Sequence, residues 1–103
     1  MKYRVAMSPA ASHDLENIVD ELMAFGAPAA ACRSVDELER VTVLLSDFPT
    51  TYQRTADPAI RRAVLHSCRQ TLYFTIRGRE VTILAVLPSM AGPEFLARRG
   101  VAN

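Results

Sequence analysis

Polar and apolar residues alternate at the start of the chain, and a helical pattern follows. Residues 2–7 alternate through most of their length, which predicts a short strand with one buried face. Ser8 and Pro9 then suit the N-cap and the first position of a helix. Behind them runs one apolar stripe at helical spacing: Leu15, Ile18, Val19, Leu22 and Met23. Gly26 is the expected residue just after the end of this helix.

A second helix is predicted after a short connection, and two starts fit the sequence. Pro28 could be its first residue, or the capping-box sequence at 34–37 could begin it later. Both choices share an apolar stripe that stops before Pro49 and consists of Val35, Leu38, Val41, Leu45 and Phe48. Two helices joined this closely are typical of a helical hairpin.

Three strands are predicted after a polar loop at 50–58. The first covers residues 60–68 and has the weakest pattern, because its arginines and helix-tolerant residues blur the period. Residues 71–77 alternate strictly, with Leu72, Phe74 and Ile76 on one face. Gly78 supplies the turn into the third strand, residues 80–87.

The last predicted strand is apolar on both faces. Unbroken alternation gives one face to Val81, Ile83, Ala85 and Leu87. The other face then carries Leu84 and Val86. Such a strand belongs at the centre of a sheet or under a cover on its second face.

The order of these elements is strand, helix, helix, strand, strand, strand, and a short helical turn is predicted at 93–99. This element order predicts a single α+β domain over residues 1–103, in which a helical hairpin packs on one face of a small, antiparallel-rich sheet.

Charge divides the chain into two unlike halves. Residues 1–50 hold four basic and eight acidic side chains, a net charge of −4, whereas 51–103 hold eight arginines and three acids, a net charge of +5. The overall charge of +1 conceals this division. The acids of the first helix are interpreted as its solvated face. The arginines of the second half predict a basic surface for an anionic partner, since arginine favours bidentate contacts.

Several classes of site lack support in the sequence. No leader pattern opens the chain, and its longest apolar run near the end is too short to cross a bilayer, so a cytoplasmic protein without membrane contact is expected. Cys32 and Cys68 show no CxxC spacing and are predicted to be small buried residues. His66 and Cys68 lie two residues apart, but no spacing supplies four metal ligands, so neither a metal nor a cofactor is expected.

Two stretches of the chain carry a family resemblance. The first consists of Tyr3-Arg4-Val5, Ser8-Pro9-Ala10-Ala11, Asp14-Leu15 and Ile18. The second is the hairpin sequence at 72–84. In their order and spacing these stretches resemble the RelE/ParE superfamily of bacterial toxins, particularly its ParE branch.

The resemblance implies the toxin of a type II toxin–antitoxin system, which inhibits growth and is neutralised by a cognate, ParD-like antitoxin. RelE-like members cleave messenger RNA on the ribosome, whereas ParE-like members inhibit DNA gyrase. RelE-like nucleases concentrate catalytic groups near the end of the last strand, where residues 87–92 contain no His, Tyr, Lys or Arg. The preferred hypothesis is therefore a ParE-like toxin that binds gyrase, is not an enzyme and does not bind DNA by itself. A RelE-like endoribonuclease and a non-toxic binding remnant of the fold remain as alternatives.

Candidate residues follow for each hypothesis. The nuclease alternative would use Arg61, Arg62, His66 and Arg69, with His66 as the base. Candidates for contact with the target are Arg61, Arg62, Arg69, Arg77, Arg98 and Arg99. The last two are chosen by location, because the C-terminal region bears on toxicity in ParE-like toxins. Candidates for antitoxin binding are Tyr73, Leu84 and Val86, on the apolar second face of the hairpin.

Overall fold

The computed structural model describes residues 2–90 of the chain. Its elements are β1 (Arg4–Met7), α1 (Pro9–Ala24), α2 (Pro28–Asp47), a 3₁₀ turn (Pro49–Thr51), β2 (Arg61–Leu65), β3 (Gln70–Arg77) and β4 (Glu80–Pro88). This order confirms the predicted α+β arrangement. The helical turn predicted at 93–99 lies outside the described residues.

The four strands form one mixed sheet in the order β1-β4-β3-β2. β1 runs parallel to β4, and the β4–β3 and β3–β2 pairs are antiparallel. β4 therefore lies at the centre of the sheet, one of the two outcomes that its apolar faces predicted.

The predicted ends of α1 are confirmed. The Ser8 hydroxyl accepts a 3.1 Å hydrogen bond from the backbone N–H of Ala11, and Pro9 occupies the first helical position. Gly26 follows the helix with φ of +69°, a left-handed conformation that glycine adopts without steric cost.

Of the two starts considered for α2, the structure has the one at Pro28. The capping-box sequence fails as a start because its two key side chains have other partners. Ser34 is buried inside the helix and donates from Oγ to the carbonyl of Ala30 at 3.0 Å. Glu37 reaches out of the helix to the turn between β2 and β3.

The main core lies between the helical hairpin and one face of the sheet. It contains Ala11 of α1 and Leu38, Val41 and Leu45 of α2, packed against Ala63, Leu65, Leu72, Phe74, Val81, Ile83 and Val86. The far ends of both predicted stripes lie outside it, since Met23 is 55% exposed and Phe48 is 57% exposed. Met23 lies in the last turn of α1, and Phe48 is the C-cap residue that follows α2.

A β-bulge corrects the predicted faces of β4. Tyr73 pairs with Ala85 while Phe74 pairs with Ile83, so Leu84 has no opposite residue on β3. The extra residue shifts the alternation by one position. Val86 therefore joins the helix-covered core, and the prediction that it shares a face with Leu84 is wrong.

The second face of the sheet carries a smaller apolar cluster. Its buried members are Ile60, Tyr73, Ala85 and Leu87, and Leu84 packs against them partly exposed. The bulge explains this membership, because it turns Ala85 and Leu87 away from the face that holds Val81 and Ile83.

β2 is shorter than predicted, since it ends at Leu65 and a turn occupies residues 66–69. The Glu37 carboxylate of α2 holds this turn. It accepts hydrogen bonds from the backbone N–H groups of His66 at 2.9 Å and Ser67 at 2.8 Å, and from the Ser67 hydroxyl. A tertiary contact thus ends a strand that the local sequence would allow to continue.

Candidate functional site

Arg61 anchors the loop that precedes β2. Its Nη1 atom donates to the backbone carbonyl oxygens of Tyr52 at 2.7 Å and Thr50 at 3.2 Å. The Tyr52 ring in turn stacks edge-on against Phe74, with 5.8 Å between ring centroids, and burial raises the pKa of its hydroxyl. Arg61 is therefore held in place by the loop, and the residue as a whole is half-buried.

Arg62 points to the opposite side of β2 from Arg61, because successive side chains of a strand alternate. Its Nη2 atom donates to Gln53 Oε1 at 3.0 Å, and its backbone N–H donates to the Gln53 carbonyl at 3.0 Å. The side chains of these two neighbouring arginines thus lie on opposite faces of the sheet.

His66 and Arg69 lie in the turn beyond the other end of β2. Four residue steps separate Arg61 from Leu65, which places the ends of the strand about 13 Å apart. Arg69 adopts φ of +54°, a left-handed conformation that costs free energy for a side chain other than glycine. The four residues of the nuclease alternative are therefore divided between the two ends of β2.

The Ser67 hydroxyl is engaged by Glu37 rather than by His66. Burial alone raises the pKa of Glu37, but the hydrogen bonds from Ser67 and His66 outweigh it and hold this pKa below its ordinary value. The carboxylate is thus ionised at neutral pH and acts as an acceptor for the turn. This arrangement is structural and provides no nucleophile and base.

Arg61 and Arg77 line one cleft with an arginine that the sequence analysis did not single out, Arg54. We call this the arginine cleft; it has a volume of about 330 Å³ and is lined by Thr50, Arg54, Pro58, Ala59, Arg61, Thr75, Ile76 and Arg77. An isolated antiparallel bridge between Arg54 and Arg61 brings the loop to β2. Arg54 was missed because only this tertiary pairing distinguishes it from other polar loop residues.

The three antitoxin-binding candidates do not form one exposed surface. Tyr73 and Val86 are each 2% exposed and belong to different clusters on opposite faces of the sheet. Leu84, at the bulge, is the only one of the three that is partly exposed. The candidates Arg98 and Arg99 lie outside the described residues.

An apolar groove runs between the two helices. Its lining consists of Val19, Met23, Pro28, Ala31, Cys32, Val35 and Asp36. Cys32 is exposed there, so the prediction that it is buried is wrong. Cys68 is half-buried as a free thiol, and burial raises its pKa. Low thiolate content makes Cys68 a poor nucleophile.

Within residues 2–90, no three His, Cys, Asp or Glu side chains are grouped as a metal site would require. No helix in the same range has the length and apolar character needed to span a bilayer.

Comparison with solved structures finds a chain with a similar fold. One chain in the structure of the chromosomal ParDE TA system from P. aeruginosa superposes with a TM-score of 0.71 over 84% of this chain and 95% of its own length. The two chains share one fold. Their sequences are 19% identical. The expected RelE/ParE-type α+β fold is thereby confirmed. No family model matches the sequence, and neither does any curated protein.

Proposed function

We propose that this chain is the toxin of a type II toxin–antitoxin system, neutralised by direct binding of a ParD-like antitoxin. The observation that carries the proposal is its structural similarity to a chain of the ParDE TA system over 84% of its length. The resemblance of residues 3–18 and 72–84 to ParE-like toxins supports the same role.

We infer that the toxin acts by binding a protein target, DNA gyrase, and therefore works in the cytoplasm. The positions of the basic residues favour this mechanism over RNA cleavage. A nuclease needs a base, an acid and cations around one phosphate. Here Arg61 and His66 belong to opposite ends of β2, and β4 ends at Pro88 followed by Ser89 and Met90, which carry no acid–base group.

The proposed target surface is formed by the arginines of the second half of the chain. Arg69 and Arg77 are exposed, whereas Arg61 and Arg62 are half-buried and hydrogen-bonded to the loop at 50–53. Arg98 and Arg99 are included by their location in the sequence. For the antitoxin, Leu84 is the proposed surface contact, since Tyr73 and Val86 are buried.

Induced expression and two assays with the purified protein test this function. Supercoiling by gyrase should be inhibited while ribosome-bound messenger RNA stays intact. Site-specific cuts in the RNA would overturn the gyrase mechanism in favour of a RelE-like nuclease. Full activity of both gyrase and ribosomes, together with normal growth, would indicate a non-toxic remnant of the fold.

Variants assign the mechanism to particular residues. Arg69→Ala should weaken inhibition of gyrase, and Arg33→Ala should not, because Arg33 is an exposed arginine on α2. The double replacement of Arg61 and Arg62 by Ala should matter more for an RNA-cleaving mechanism than for gyrase binding.

A further inference from the structure

The arginine cleft places like charges side by side. Arg54 and Arg61 are opposite each other in the antiparallel bridge, and residues opposed in this way have Cβ atoms about 5 Å apart. Like charges directly opposite one another destabilise a pair of strands. Arg77 of β3 also lines the same cleft.

None of the eight described residues that line the cleft carries a carboxylate. Ion pairs within residues 2–90 include those of Lys2 with Asp47 and of Arg4 with Glu80. Arg54 takes part in no ion pair within that range. Arg61 is fixed by two backbone carbonyl oxygens, which orient its guanidinium without neutralising it.

We propose that the arginine cleft binds the carboxylates of an acidic protein segment. Arginine presents a planar fork of donors that matches a carboxylate in two hydrogen bonds. Because the loop already holds Arg61, less side-chain entropy is lost when an anion binds. The volume of about 330 Å³ is at the small end for ligand sites, and it suits one or two acidic side chains.

A nucleic acid would also present anions, but the lining of the cleft favours a protein segment. Single-stranded nucleic acids are held by aromatic side chains that stack on the bases. None of the eight lining residues is aromatic. The chain also has a net charge of only +1, whereas nucleic-acid-binding domains are usually strongly basic. The preference for anions follows from the lining, and the assignment of the anion to a protein partner rests on the proposed function.

Fluorescence anisotropy with the purified full chain tests this site. The probe is a labelled hexaglutamate peptide, compared with labelled single-stranded DNA and RNA hexamers at the same low salt concentration. The variant Arg54→Ala removes the exposed arginine, which makes no ion pair or side-chain hydrogen bond within the described residues, so the fold should survive. Arg54→Lys keeps the charge without the fork, and Arg33→Ala removes an exposed arginine on α2.

Hexaglutamate should bind the wild type about tenfold more tightly than it binds Arg54→Ala, the loss expected for one charge-assisted contact. Arg54→Lys should fall between them, and Arg33→Ala should match the wild type. Equal affinity of Arg54→Ala and wild type would overturn the proposal. So would a hexanucleotide that binds more tightly than the peptide and depends on Arg54. Neither readout uses toxicity, so a failure of the toxin assignment is recorded separately by the gyrase and growth assays.

Discussion

The carboxylate of Asp14 accepts a hydrogen bond from the backbone N–H of Val86, with 3.0 Å between Oδ2 and the amide nitrogen. β1 stops pairing with β4 at Ile83, and the bulge at Leu84 follows. Ser8 binds the next two carbonyl oxygens of β4. Its backbone N–H donates to the Ile83 carbonyl, and its hydroxyl donates to the Leu84 carbonyl. The first turns of α1 thus supply hydrogen-bond partners to the part of β4 that β1 no longer pairs with. Asp14 contributes one of these bonds, so it is not only part of the solvated face of α1.

Replacing Asp14 by Ala should lower the free energy of unfolding by about 1–3 kcal/mol, because the amide of Val86 would lose its acceptor. Asp14→Asn keeps an acceptor oxygen and should lose less. Urea denaturation measures both. Asp20→Ala is the control, since Asp20 is exposed on the same helix and its removal should change stability by less than about 0.5 kcal/mol. Identical midpoints for Asp14→Ala and Asp20→Ala would contradict the role of Asp14.

The bulge predicts that Val86 of β4 responds to truncation very differently from Val64 of β2, a strand separated from β4 by β3. Val86 is 2% exposed in the helix-covered core, whereas Val64 of β2 is 45% exposed. Val86→Ala should cost about 1–3 kcal/mol of unfolding free energy, and Val64→Ala less than about 1 kcal/mol. Chemical denaturation tests this difference. A small loss at Val86 would mean that the alternation of β4 continues unshifted through Leu84.

Glu37 should make the stability of the fold depend on pH in the acidic range. Since hydrogen bonds from Ser67 and His66 hold the pKa of Glu37 below its ordinary value of 4.5, its ionised form stabilises the fold above that pH. The contribution is lost as pH falls through the lowered pKa of the folded state. Glu37→Gln should therefore be less stable than wild type at pH 7, by about 1 kcal/mol for a partly exposed site. This difference should shrink progressively below pH 4.5 in thermal melts.

Glu39→Gln is the matched control for that measurement, because Glu39 is exposed on the same helix. Its stability should follow that of the wild type across the same pH range. A gap between wild type and Glu37→Gln that is constant from pH 7 to pH 3 would show that ionisation of Glu37 does not hold the turn.

Arg69 offers a test that separates stability from function. Its φ of +54° costs an L-residue about 1 kcal/mol that glycine avoids. Arg69→Gly should therefore be as stable as wild type or more stable in urea, while its inhibition of gyrase should fall if Arg69 contacts the target. Unchanged inhibition by a stable Arg69→Gly protein would remove Arg69 from the proposed target surface.

The element order, the caps of α1 and the central place of β4 were all predictable, because each depends on local periodicity or on a capping residue close in sequence. Ser8, Pro9 and Gly26 specify the ends of α1 through their own backbone preferences. The two apolar faces of β4 limited it to the centre of the sheet or to a place with its second face covered, and the structure has it at the centre.

Tertiary structure decided the features that depend on distant residues. The bulge at Leu84 arises from pairing with β3, and it moves Val86 to the opposite face from the one that alternation assigns. Glu37 belongs to a turn about 30 residues away, so its place in a capping-box sequence was misleading. Arg54 lines the arginine cleft because its backbone bridge to Arg61 brings the loop against β2. Side-chain period and capping are local properties that a sequence carries directly, whereas register and long-range hydrogen bonds exist only once the strands and helices have packed.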